Sequence, residues 1–404
     1  MIRAVPLAFA CTLAAAMAGL EQPSATPEPG VAQDRVARLT STLAARPLGR
    51  DAQTGFLRPL LAALNVPLES QLLVFSRTGV QHVYTGPHTP RALYFDESVV
   101  VGYVPGAPTI EIAAHDPVEG LAFYTLDQTT TAPVPKRQRR CFTCHESAST
   151  GDVPGLIVRS HTVGDDGTVL PQPAGGATPP SHDVNQQTSH SERWGGWLVT
   201  SEDGAVPYAQ RAHQGNITFT PDGNTSNQVI VDWMASAPET RGYPSSASDV
   251  VSLLAFDHQM PAINLMTRLN FLWRRASFEG RASVDDRPDV RSLVGELADY
   301  LLFAHEAPLP VALTPRAGLA RALEQRLPHD AKGRSLAQFD GVNRLMRYSC
   351  SYMVYSEAFK ALPAPVRQAV YKPLFDSLSA PPTADRRATI EILQATIPEF
   401  RPQP

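Results

Sequence analysis

The feature that most constrains this chain is the pentapeptide Cys141-Phe142-Thr143-Cys144-His145. Two thiols three positions apart, followed at once by an imidazole, form a C-x-x-C-H motif. Each thiol can form a thioether to one of the two vinyl groups of a single haem, and the adjacent histidine then lies under the ring and coordinates the iron. Ring and iron are gripped from one short turn, so the three side chains must be close in sequence. Two other chemistries use a C-x-x-C pair. Half of a zinc site is one, but the chain has no second C-x-x-C to complete it. A thioredoxin-like dithiol is the other, but it needs no following histidine, and no βαβ pattern surrounds this pair.

The chain has 404 residues, enough for two or three domains and a sizeable core. A hydrophobic content of 43% and a charged content of 18% are those of a folded soluble protein. A net charge of -4 without a basic tail argues against a nucleic-acid partner. Arg3, the apolar run Val5–Ala18 and the A-x-A pattern at Ala16-Met17-Ala18 read as a secretory signal peptide over residues 1–18. The run is short for a spanning helix, so no stable membrane span is expected after cleavage. Covalent haem and export agree on one compartment, the periplasm. Cys11 falls in the leader and leaves Cys141, Cys144 and Cys350, an odd number that excludes a disulfide framework.

The expected fold class is α+β: a β-rich N-terminal region leading into a single C-x-x-C-H site, then a mainly helical C-terminal region. Residues 19–60 read as a linker with a short helix over Gln33–Ala45. Residues 61–135 are the β-rich region, with strands at Gln71–Ser76, Arg91–Phe95, Ser98–Val104, Thr109–Ala114 and Leu121–Leu126 divided by Gly, Pro and Asp. Residues 136–245 form the haem-binding region, with long loops, one further strand at Gly155–Ser160 and the Trp194-Gly-Gly-Trp197 bend. Residues 246–404 are helical. Ser246-Ala-Ser-Asp249 resembles a capping box opening a helix to Phe278. Further helices are expected over Asp289–Ala304, Arg316–Leu327, Leu336–Phe359, Pro365–Leu378 and Ala384–Ala395.

A second axial ligand has two main candidates. His258 shares a helix face with Val251, Leu254 and Leu265, and Pro261 should kink that helix and release a backbone carbonyl. A core histidine bonded to its surroundings fits the same pattern. His213 stands in Arg211-Ala-His-Gln-Gly-Asn216, where Gly215 permits close approach of backbone to a ring. Met260 and Met266 lie on the helix of His258, where methionine is more often core. Asp257, Asn264 and Arg268 recur at helical spacing and could form a polar cluster or hold a propionate. The stretch Lys136-Arg-Gln-Arg-Arg140 leads into Cys141 and admits three readings: a solvated loop, arginines paired with haem propionates, or a docking patch for an acidic redox partner. Cys350, between Tyr348 and Tyr352, reads as a buried inert thiol. Paired carboxylates, a P-loop, G-x-S-x-G and H-E-x-x-H are absent from the sequence.

Several blocks together resemble a known family. They are Pro90-Arg-Ala-Leu-Tyr-Phe95, Ile110-Glu-Ile-Ala-Ala114, Phe123-Tyr-Thr-Leu-Asp127, Cys141 to His145, Glu192-Arg-Trp-Gly-Gly-Trp197, His213-Gln-Gly-Asn216, His258-Gln259 with Asn264 and Thr267-Arg268, Gly333-Arg-Ser-Leu336 and Cys350-Ser-Tyr-Met-Val-Tyr-Ser356. Their order is similar to that in a family of exported bacterial proteins with one cytochrome c-type motif and no established function. The resemblance covers most of the chain after about Leu61. It implies covalent haem c on Cys141 and Cys144 with His145 on the iron, and it singles out His213 and His258. The chain departs from the pattern at Ile263, where relatives are expected to carry histidine. The function expected is electron transfer by a periplasmic c-type cytochrome with a redox partner protein. The rival readings are a haem enzyme with an open sixth position, for which the length speaks, and a haem-based sensor.

Overall fold

A computed structural model describes residues 33–164, 166–171, 181–199, 209–210, 217–218, 242–245, 247–280, 283–309, 313 and 318–401. The strands among them, in chain order, are β1 (Leu72–Val74), β2 (Arg91–Phe95), β3 (Val99–Tyr103), β4 (Thr109–Asp116), β5 (Gly120–Asp127), β6 (Lys136–Arg137), β7 (Arg159–His161), β8 (Ser181–Asp183), β9 (Trp197–Leu198), β10 (Ala209–Gln210) and β11 (Ile217–Thr218). Seven of them form one antiparallel sheet in the order β6-β5-β4-β3-β2-β1-β9, while β7 pairs with β8 and β10 with β11. The β2–β5 meander follows from alternating apolar residues and tight turns. Asp96 Oδ1 accepts from both Ser98 N and Val99 N, which closes the β2–β3 turn.

The two faces of the sheet bury different layers. Tyr94, Val101, Ile112 and Tyr124 pack with Leu57, Leu60 and Leu61 of helix α2 (Leu57–Ala63) and with Val36 of α1 (Arg35–Thr42). Leu72, Phe95, Val100, Ala113, Leu121 and Phe123 face the helical half. That half holds α4 (Val250–Phe278), α5 (Pro288–Leu301), α6 (Gly318–Arg326), α7 (Glu357–Lys360), α8 (Ala364–Ser379) and α9 (Ala384–Thr396), and the one-turn helix α3 (Phe142–His145) precedes it in the chain. Two ion pairs stitch the β2–β3 turn to both layers: Arg35 to Asp96 at 2.5 Å, and Arg326 to Glu97 at 2.7 Å. The α+β class is as expected, but one boundary is crossed. Trp197 pairs with Val74, so the region after the motif returns a strand to the edge of the N-terminal sheet.

The long helix α4 is buried all round from Val250 to Met260, not on one face alone. Burial on every side puts this stretch inside the core, its polar Ser252, Asp257, His258 and Gln259 included. The helix opens with Asp249 at the N-cap, three residues later than the capping box expected from Ser246, which lies outside the described residues, and the Ser248 hydroxyl accepts from Leu73 N of the sheet. Pro261 stays inside the helix and cannot donate to the carbonyl of Asp257. The Tyr300 hydroxyl of α5 donates to that carbonyl at 3.3 Å and to the His258 carbonyl at 3.2 Å.

The helix expected over Leu336–Phe359 does not form. Only a 3-10 turn at Tyr352–Tyr355 and the short α7 occur there. Local polar bonds compete with the helix: Asp340 Oδ2 accepts from Val342 N and Asn343 N, Ser351 from Met353 N, and Ser356 from Phe359 N. Gly341 at φ 70 completes the break, because a Cβ there would stand 2.5 Å from the Leu313 carbonyl.

Burial holds four histidines neutral. His115, His161 and His190 are pushed down to about 4 and His258 to about 3, all from 6.5. Below 6.5 the unfolded chain therefore binds protons that the native state does not, and stability falls as the pH drops from 6.5 toward 4. Burial raises the Asp257 carboxyl from 3.8 to about 7, which acts in the opposite sense over 7 to 3.8. Four imidazoles outweigh one carboxyl. The urea midpoint is expected to fall between pH 6.5 and pH 5, with little change from pH 7.5 to 6.5; a flat or rising midpoint between 6.5 and 5 would contradict this.

Candidate functional site

The motif sits where the chain leaves the sheet edge. β6 pairs with β5 through Tyr124↔Arg137, and Gln138 continues the ladder by donating its N–H to Phe123 O at 2.8 Å. A 3-10 turn over Arg139–Cys141 then runs into α3. Phe123 anchors that turn from the sheet. Its ring meets Phe142 edge-on at 5.7 Å and lies 4.8 Å from the His145 ring. Cys141 is half-buried and Cys144 exposed, and both are free thiols. Burial and the nearby Glu111 carboxylate push the Cys141 thiol up, against the pull of Arg140.

His145 is held in one tautomer. Its Nδ1–H donates to the Gly155 carbonyl at 3.0 Å, and Gly155 N donates back to the His145 carbonyl at 2.8 Å. Nε2 has no partner among the described residues. Burial lowers the basicity of the ring, with the Gly155 bond working against it. An imidazole that is neutral, protonated at Nδ1 and bonded there to a carbonyl presents Nε2 as a metal ligand.

The seat of His145 is fixed from the helical half. Leu156 N donates to Asn264 Oδ1 at 3.0 Å, and Asn264 Nδ2 donates to the Leu156 carbonyl at 2.7 Å. The amide of α4 thus pairs with the backbone next to Gly155 as a strand would. A Cβ on Gly155 would stand 2.4 Å from Asn264 Oδ1. Only glycine permits this approach. A cleft of about 670 Å³ opens beyond the 3-10 turn Ala148–Thr150, lined by Thr150 and Gly151, by Asn264 and Arg268 of α4, and by Glu296 and Asp299 of α5, and not by Cys141, Cys144 or His145.

Other residues singled out by sequence lie elsewhere. His258 is fully buried, donates from Nδ1 to Gln186 Oε1 at 2.5 Å and accepts at Nε2 from the Ser351 hydroxyl at 2.6 Å. Its ring stacks on Tyr300 at 5.3 Å. Both nitrogens are committed, as in a satisfied core histidine. His213 lies outside the described residues, as does the signal-peptide segment 1–18. Met260 and Met266 are core, and Ile263 is buried with them. Asn264 and Arg268 line one cleft, but Asp257 does not join them. Asp257 Oδ2 accepts from Trp194 Nε1 at 2.8 Å and pairs with the buried Arg193 at 3.3 Å, Asn264 clamps Leu156, and Arg268 lies over Gly151. Within the basic stretch, Arg137 pairs with Glu119, Arg139 lies over the Phe142 ring, and Arg140 is exposed beside Cys141. Cys350 is buried and its thiol is pushed up to about 12, which leaves it inert.

The role of Asn264, the pairing of Arg193 with Asp257, and His305 at the cleft rim carry no sequence signal of their own. Among the described residues no helix is long and apolar enough to cross a membrane, and no group of three or more His, Cys, Asp or Glu is arranged to hold a metal ion. No family model, no curated protein and no solved structure matches this chain.

Proposed function

We propose that this chain is an exported, periplasmic c-type cytochrome that binds one haem c and transfers electrons. The observation that carries the reading is the arrangement on one turn of two free thiols and a histidine whose Nδ1 is already committed, leaving Nε2 to the iron. The donor set fits the group: Cys141 and Cys144 would hold it by thioethers, His145 would be the axial ligand, and Phe123 and Leu93 would supply apolar wall. When bound, haem supplies an iron centre that gains or loses one electron. The protein's part is to hold the imidazole by the Gly155 bond.

The test is the absorption spectrum of the chain, oxidised and reduced, after co-expression with a haem-attachment system. A low-spin spectrum in both states supports electron transfer with two axial ligands, and a His213→Ala variant that turns high-spin would name the second. A high-spin spectrum with CO binding in the reduced state would favour the rival reading, a haem enzyme with an open sixth position.

The partner expected from the surface is acidic. Arg139 and Arg140 are exposed beside Cys141 and have no carboxylate partner among the described residues. Oxidation of the reduced protein by anionic ferricyanide should slow on the order of tenfold from low to high salt and in the R139E/R140E variant. A cationic cobalt complex should show the opposite trend. Equal rates in the variant and the parent would exclude this patch as the docking surface.

A further inference from the structure

The Nδ1 bond of His145 is one half of a longer chain of hydrogen bonds. Its acceptor, the Gly155 carbonyl, belongs to the same rigid peptide plane as the Leu156 N–H, and in a trans peptide the two groups point in opposite directions. At one end the carbonyl accepts from His145 Nδ1 at 3.0 Å. At the other end the N–H donates to Asn264 Oδ1, also at 3.0 Å. The imidazole, one peptide group and the Asn264 amide are therefore linked in series. Hydrogen bonds in series polarise one another, so an acceptor on the N–H makes the carbonyl of the same peptide a better acceptor. The Asn264 amide is itself pinned, because its Nδ2 donates to the Leu156 carbonyl at 2.7 Å. Only a primary amide offers an acceptor and a donor side by side for this double bond, and glutamine carries one methylene too many for the same position. At 9% exposure Asn264 meets little competing water. The loop between His145 and Gly155 is closed on its own: Gly155 N donates to the His145 carbonyl at 2.8 Å, and Glu146 bridges to Pro154. The loop sets where the Gly155 peptide lies. The bond from the helix acts on how that peptide is turned and how strongly its carbonyl accepts.

We propose that Asn264 is a positioning residue for the axial imidazole, acting through the Gly155–Leu156 peptide to hold the ring and strengthen the bond at Nδ1. The proposal rests on the haem reading above. A stronger bond at Nδ1 makes Nε2 a more basic ligand, and a more basic ligand favours the oxidised iron. Asn264 therefore keeps the potential low from outside the motif. Asn270 supplies the control. It stands on the same helix, is 6% exposed and donates from Nδ2 to the Pro117 carbonyl at 3.0 Å, but that carbonyl lies in the turn between β4 and β5, outside the His145 loop.

The experiment compares full-length holoprotein with N264A, N264D and N270A. Haem staining on a denaturing gel comes first: no covalent haem in the parent overturns the haem reading itself, and this proposal with it. With haem attached, the midpoint potential is measured by redox titration, and the His145 Nδ1 proton is followed by NMR in the reduced state. N264A is expected to move the potential to a more positive value and the Nδ1 proton to higher field, the direction of a weaker hydrogen bond. N270A loses a similar buried bond and is expected to lower the urea midpoint as N264A does, with both haem readouts at the parent's values. N264D puts a charged acceptor on the same Leu156 N–H and is expected to move the Nδ1 proton to lower field. Its potential is left out of the comparison, because the added charge shifts it directly. A merely structural role predicts that N264A and N270A behave alike. An unchanged potential or an unchanged Nδ1 resonance in N264A, or equal shifts in N264A and N270A, would overturn the assignment. If N264A does not fold, N264D decides on its own: an Nδ1 proton at the parent's position or at higher field overturns the proposal.

Discussion

Changing Cys141 and Cys144 together to alanine is expected to take covalently bound haem from stoichiometric to background on a stained denaturing gel. The thioether is the only bond that survives denaturation, and Cys350, the remaining thiol in the described core, is buried and inert. The single changes should differ from the double. Each leaves one thioether and one intact vinyl group, so covalent haem persists and the reduced absorption bands move to longer wavelength. The C144A protein should keep the better-ordered attachment, because Cys141 is half-buried against the sheet core while Cys144 faces solvent. Stain that survives the double change would end the haem reading and return the pair to a metal or dithiol role.

The second large effect is on stability. Arg193 and Asp257 are an ion pair at 2% and 0% side-chain exposure. Arg193 also donates to the carbonyls of Thr188 and Gln186, so one guanidinium ties the Trp194 bend to the central helix. Removing one member leaves the other charge buried and unpaired, which costs about 3–5 kcal/mol. At pH 8, above the raised Asp257 carboxyl at about 7, Asp257→Ala and Arg193→Ala should each lower the unfolding free energy by that amount in urea titrations. The double change to leucine and methionine should cost far less than the sum, since neither charge then remains. Single variants within about 1 kcal/mol of the parent would show that the pair is already neutralised in the native state.

The contrast between these two sites reflects what a sequence can display. The C-x-x-C-H turn is local, so its chemistry is legible in five residues. The β2–β5 meander is legible for a similar reason: alternation and turn residues are short-range signals, and Arg91–Phe95 falls where it was expected. The Arg193–Asp257 pair joins positions 64 apart, and Asn264 reaches Leu156 across 108. No periodicity encodes such distances. His258 was ambiguous because a histidine on an apolar face looks the same as ligand or as core. Its partners Gln186 and Ser351, 72 and 93 positions away, decide its state in this fold. The segment Leu336–Phe359 misled because its apolar spacing imitates a helix, while the serines and aspartate that break it act through backbone bonds that spacing does not register. β9 is two residues long, too short to show alternation.

The clamp of Asn264 on Leu156 bears on the order in which the molecule is made. The turn that presents the thiols closes within five residues, whereas the bonds that complete the seat of His145 wait for a helix 108 positions further on. During synthesis the thiols are thus displayed before the helical side of the seat exists. On the haem reading proposed above, the cofactor would be joined to the chain in that interval. The long helix then arrives, its amide engages Leu156, and the late contact becomes the latch on an assembly begun much earlier.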